Sequence, residues 1–195
     1  MLNYLHQTAS LLMQEFSLQS VSEKIWALVL GLTLFAAFMD WRTRRIPNWL
    51  TVPAFLTGIG VNAIFGGWQG AKNSLGGAGL ALGLLLPLVL LRGLGAGDWK
   101  LMGAVGAMMG WRSMLFVLFA SILASGLMAV VQMVLTGRVR KTLWNTLILA
   151  KGLATFGLGL RPDITLDNPT LLKVPFGVGV GAATVIGFVL AHWPH

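Results

Sequence analysis

From Lys24 to His192 the chain alternates apolar stretches with short polar connections. The stretches lie at 24–40, 48–65, 74–91, 98–112, 114–135 and 174–192. Hydrocarbon offers no hydrogen bonds to a peptide backbone, so segments of this length and polarity satisfy themselves as helices. With 195 residues, 56% of them hydrophobic and 10% charged, the mean hydropathy is +0.78. This is too apolar for a soluble domain. The expected fold is all-α, a polytopic membrane protein with about six transmembrane helices. Residues 1–23 carry Leu5, Ala9, Leu12 and Phe16 at helical spacing. They are expected to form an N-terminal tail or a helix on the membrane surface, and not a signal peptide. The domain itself is expected over 24–195. Residues 136–173 form a cytoplasmic or interfacial connection, in which 143–160 is an interfacial helix or a further span.

Charge sets the orientation. Arg42, Arg44, Arg45, Arg92, Lys100, Arg138, Arg140, Lys141, Lys151, Arg161 and Lys173 fall on one side of a six-span arrangement. Only Lys24, Lys72 and Arg112 fall on the other. The basic side is cytoplasmic by the positive-inside rule, so both termini face outward. The net charge of +8 follows mostly from this topology, and no nucleic-acid partner is needed to explain it. Tryptophans near both sets of span ends fit interfacial belts. Gly79–Gly83, Gly106–Gly110 and Gly177–Gly181 have the spacing that lets helices approach closely in lipid. Pro53 and Pro87 are expected to kink their helices.

Few residues can carry chemistry. The chain has no cysteine, and its three histidines, His6, His192 and His195, lie near the termini. Neither thiol catalysis nor a metal site is expected, and no cofactor is implied. Of six acidic residues, Glu15, Glu23, Asp163 and Asp167 lie in polar stretches, and Asp40 and Asp98 fall at the ends of predicted spans. Both belong to the cytoplasmic side. A carboxylate beside bilayer-grade sequence is costly and marks a functional site. Two carboxylates brought close cannot both ionise cheaply, so one holds a proton while the other acts as base. Such a pair activates water against a peptide carbonyl and protonates the leaving nitrogen. Gly95 and Gly97, just before Asp98, are expected to adopt backbone angles closed to other residues and to let another chain approach the main chain. Pro47 fixes the start of the second span. Taken singly, Asp40 could instead pair with the neighbouring arginines, and Asp98 could be a helix N-cap.

Two segments carry a family resemblance. Asp40-Trp41-Arg42-Thr43-Arg44-Arg45-Ile46-Pro47-Asn48 and Gly95-Ala96-Gly97-Asp98-Trp99-Lys100-Leu101 resemble the paired motifs of the type IV prepilin peptidases, the GxGD intramembrane aspartyl proteases. Val174-Pro175-Phe176-Gly177 is similar to the Pro-Phe-Gly that opens the family's last span. The resemblance implies Asp40 and Asp98 as catalytic residues, with Gly95, Gly97, Pro47, Asn48 and Lys100 supporting the active-site loops. It implies removal of a basic leader from prepilins or pseudopilins at the cytoplasmic face of the prokaryotic inner membrane. Longer members also N-methylate their product through an added domain that often carries paired cysteines. This chain has neither the cysteines nor the room, so it resembles the short, peptidase-only branch of Flp (tight-adherence) type. Trp99 departs from the small aliphatic residue commoner at that position. A silent pilus-assembly scaffold and a proton-coupled transporter are the alternatives. The transporter would require ionisable residues at mid-membrane depth, and the span interiors have none.

Overall fold

The computed structural model describes residues 2–90, 94–137 and 175–191, with Trp144 and Leu147, and side chains from Glu23 onward. The described residues contain helices and no strand: α1 (Leu2–Thr43), α2 (Asn48–Leu90), α3 (Ala96–Leu135) and α4 (Phe176–Ala191). Glu23–Thr43, α2 and α3 are long and apolar enough to cross a membrane, and α4 is apolar but shorter. The all-α membrane class expected from hydropathy is the one observed. The backbone of α1 runs unbroken from Leu2, so no helix end separates residues 2–23 from the apolar stretch. Residues 138–174, apart from Trp144 and Leu147, lie outside the described residues, and with them most of the expected interfacial connection.

A straight 43-residue helix such as α2 would extend about 64 Å, twice the ~30 Å hydrocarbon core. It does not run straight. Gly67 has φ 57° and ψ −145°, outside helical values and in a region that side chains disfavour. Beyond it the chain turns back, because the carbonyl of Asn62 lies against Gly70. Gly58 packs on Ala107 and Met108, while Gly77 packs on Gly106 and Gly110. On one straight helix those two glycines would stand about 28 Å apart. α3 does the same at Gly110 (φ 75°, ψ 177°). Its Asp98 and Ser125 would be about 40 Å apart if the helix were straight. Instead they meet the neighbouring residues Gly177 and Gly179 of α4. Two glycine reversals therefore turn two long helices into antiparallel pairs of arms.

The prolines do not make these breaks. Pro53 and Pro87 both sit inside α2, whose only non-helical residue is Gly67. The glycine spacing also needs correcting. Gly106–Gly110 and Gly177–Gly181 do face neighbouring helices, but Gly79 and Gly83 have open space where a Cβ would stand. In the second arm of α2 it is Gly77 that meets α3. A Cβ there would lie 2.6 Å from the carbonyl carbon of Gly110.

The first arm of α3 occupies the centre, and every residue from Leu101 to Met108 is buried. It contacts protein on all sides, so it need not match the bilayer thickness. This accounts for the shortness of the span expected at 98–112. Leu101, Met102, Val105 and Met108 join Val29, Leu32 and Ala36 of α1, Val117 of the second α3 arm and Val180 and Ala183 of α4 in one core.

The break at Gly110 leaves carbonyls at the end of the preceding arm without helical partners. Asn62 covers two of them. Its Nδ2 donates to the carbonyls of Ala107 (3.1 Å) and Met108 (3.0 Å), and also to that of Gly58 (2.9 Å). Ser74 Oγ donates to Ala107 O at 2.6 Å. Asn62→Leu is expected to lower stability by about 1–3 kcal/mol, the cost of stranding buried acceptors. Thermal unfolding in detergent measures this, and an unchanged midpoint would show that the clasp is dispensable.

Candidate active site

Asp40 lies in the last turn of α1 and is only 6% exposed. The helix ends just beyond it. Arg44 takes a left-handed conformation (φ 54°), and its N–H donates to the Asp40 carbonyl at 2.9 Å. This is a one-residue helix stop of the kind glycine usually provides, and in a β-carbon residue it costs about 1–2 kcal/mol. The Arg44 charge acts on the Asp40 carboxylate. The chain then turns through Ile46-Pro47-Asn48. The Pro47 carbonyl accepts N–H groups from Leu50 (3.2 Å) and Thr51 (3.4 Å), which starts α2.

Asp98 is the third residue of α3. Gly95 occupies the N-cap with φ −69° and ψ 141°, so the alternative of Asp98 as N-cap does not hold. Nor does either glycine of this segment use a positive φ, since the positive-φ glycines among the described residues are Gly67, Gly110 and Gly137. Close approach is what these glycines provide. A Cβ on Gly97 would stand 3.1 Å from Ile46 Cβ and 3.3 Å from the Ile46 nitrogen. One on Gly95 would stand 3.1 Å from Asp98 Oδ2. The two motifs, distant in sequence, thus pack directly on each other. Lys100 Nζ adds a second tie by donating to Asn48 Oδ1 at 3.0 Å. Trp99 does not hang free, because its Nε1 donates to Leu82 O of α2 at 2.8 Å.

The start of α4 brings a backbone donor to the two carboxylates. Gly177 N–H donates to Asp40 Oδ2 at 2.9 Å, and the same amide and the Asp40 charge both act on Asp98. The first amides of a helix have no internal acceptor and form the positive end of its dipole, which suits them to a carboxylate. Asp98 Oδ1 is buried and finds no hydrogen-bond partner among the described residues. Asp40, Asp98, Gly95, Gly97, Pro47, Asn48 and Lys100 therefore occupy one end of the bundle. The residue missing from that set is Gly177. Its signal was the Val174-Pro175-Phe176-Gly177 sequence, but a backbone donor announces no side-chain chemistry. Among the described residues no three His, Cys, Asp or Glu side chains cluster as a metal site would require.

No curated protein and no solved structure matches the chain. Residues 27–130, however, match the family model of the type IV leader peptidases. The match takes in both aspartates and stops short of α4. It covers more than half of the sequence, and the chain accordingly belongs to the type IV leader peptidase family, with prepilin leader cleavage as its general function.

Proposed function

We propose that this protein is an aspartyl endopeptidase that uses Asp40 and Asp98 to remove the basic leader from prepilins or pseudopilins. It works at the cytoplasmic face of the inner membrane, crosses the bilayer six times with both termini outside, and does not methylate its product. The observation that carries this reading is the buried Asp40 carboxylate bonded to the Gly177 amide, with the Asp98 carboxyl within electrostatic range of both. An ionised carboxylate takes a proton from water as the water oxygen attacks the scissile carbonyl carbon. The protonated partner hydrogen-bonds the carbonyl oxygen as charge develops there. Collapse of the tetrahedral intermediate breaks the C–N bond, and the leaving nitrogen takes up a proton from the pair. Gly97, packed against the Ile46 turn, Gly95, packed against the Asp98 carboxyl, and the Asn48–Lys100 tie hold the two carboxylate-bearing segments in place.

The test is incubation of the purified protein in lipid nanodiscs with a full-length prepilin, followed by mass spectrometry of both fragments. The expected result is one cut after the basic leader, with an unmethylated new amino terminus even when a methyl donor is supplied. An intact prepilin rules out the protease reading. A methylated product rules out the peptidase-only assignment.

A further inference from the structure

We infer that the backbone N–H of Gly177 is a positioning group for the aspartate pair, and that the small-residue face of α4 serves to hold it in register. The inference rests on the reading of Asp40 and Asp98 as the catalytic pair. It concerns a segment outside the residues that define the family match.

At the start of α4 the amide that bonds a carboxylate is that of Gly177. Pro175 has no N–H, and that of Val178 turns back on the Pro175 carbonyl at 3.2 Å. The Gly177 N–H points instead at Asp40 Oδ2. The space around it is tight, because a Cβ at 177 would lie 3.0 Å from both Asp40 Cβ and Asp40 Oδ2 and would press on the carboxylate. A carboxylate with one oxygen held by a fixed donor has lost the freedom to swing its plane away from its partner.

Register matters because one residue along a helix is about 1.5 Å, enough to break a hydrogen bond. Successive contacts prevent such a slip. A Cβ at Gly181 would stand 3.0 Å from Ala37 Cβ, and Gly187 seats the Trp26 ring. Between them the Thr184 and Thr33 hydroxyls bond at 2.7 Å, with both also tied to their own helix carbonyls. These contacts recur at helical spacing along α4, on the face that carries Gly177. The same face therefore fixes the height of the amide relative to Asp40.

The decisive experiment replaces the amide at 177 by an ester. Glycolic acid is introduced in place of Gly177 by nonsense suppression, which deletes the N–H and adds no bulk. The control is the corresponding ester at Val178, which loses a backbone hydrogen bond of the same helix turn but no carboxylate contact. For prepilin cleavage in nanodiscs, the ester at 177 is expected to lower kcat about ten- to hundredfold, as loss of a hydrogen bond to a charged group does. KM and the unfolding midpoint should stay near those of the unmodified protein, and the ester at 178 should retain most of kcat. Gly181→Val, which pushes α4 off α1 without touching the carboxylates, should lower kcat in the same sense. A kcat for the ester at 177 equal to that of the unmodified protein, or to that of the ester at 178, overturns the proposal. Failure of the unmodified protein to cleave is a separate result that removes the protease reading and this inference together.

Discussion

Asparagine in place of either Asp40 or Asp98 is expected to reduce prepilin cleavage a thousandfold or more while the protein still inserts and folds. Asparagine keeps the shape of the side chain and an oxygen that can accept the Gly177 N–H, so the contact at the start of α4 survives in Asp40→Asn. At Asp98 the substitution breaks no hydrogen bond to Oδ1. What is lost is the exchangeable proton, and general acid–base contributions of this kind amount to about 10²–10⁴ in rate. The double variant should be little worse than either single one, because the two carboxylates act as a unit. Cleavage by the purified variants in nanodiscs, scored by mass spectrometry, is the measurement. Wild-type rates from either single variant would remove that residue from the pair.

Leucine at Gly77 should be severe, and leucine at Gly79 should be close to silent. The two positions differ by half a helical turn. At Gly77 the first added carbon would meet the Gly106 carbonyl and the Gly110 backbone, which cannot move aside like a flexible side chain. Overpacking of this kind is expected to cost about 3 kcal/mol or more. It should also depress cleavage, since Asp98 rides on the displaced arm. At Gly79 nothing stands within 4 Å, and a change within about 0.5 kcal/mol is expected. Thermal unfolding in detergent, followed by intrinsic fluorescence, distinguishes the two. Equal effects would mean that α2 is rotated from the orientation described.

That pair of glycines also shows what a sequence can and cannot reveal in such a protein. Chemistry-bearing side chains stand out against an apolar background. Asp40 and Asp98 were therefore legible, and counting basic residues put them at one end of the bundle. Lys100 and Asn48 stood out in their motifs, but their hydrogen bond to each other appears only in the fold. Which face of a helix turns inward is set by all its neighbours at once, and the Gly79–Gly83 spacing gives no hint that Gly77 does the packing. Gly177 escaped for a different reason. Its contribution is a peptide N–H, which every residue but proline possesses, and only three-dimensional placement gives it meaning. Pro53 and Pro87 do not end α2, because proline inside a helix removes one hydrogen bond without forcing a reversal. The chain reverses instead at Gly67 and Gly110, where backbone angles that larger residues avoid are required.

Those two reversals have an architectural consequence. Each is made within a residue or two, so at that pole of the bundle the chain has almost no slack. The links from Thr43 to Asn48 and from Leu90 to Ala96 join helix ends at the opposite pole, near Asp40 and Asp98. Between helices, an inserted module or a lengthened connection is accommodated most easily in those links, next to the chemistry. A protein built this way can diversify around its active end while its other end stays sealed, and any regulatory addition between its helices would arrive within reach of the peptide being cut.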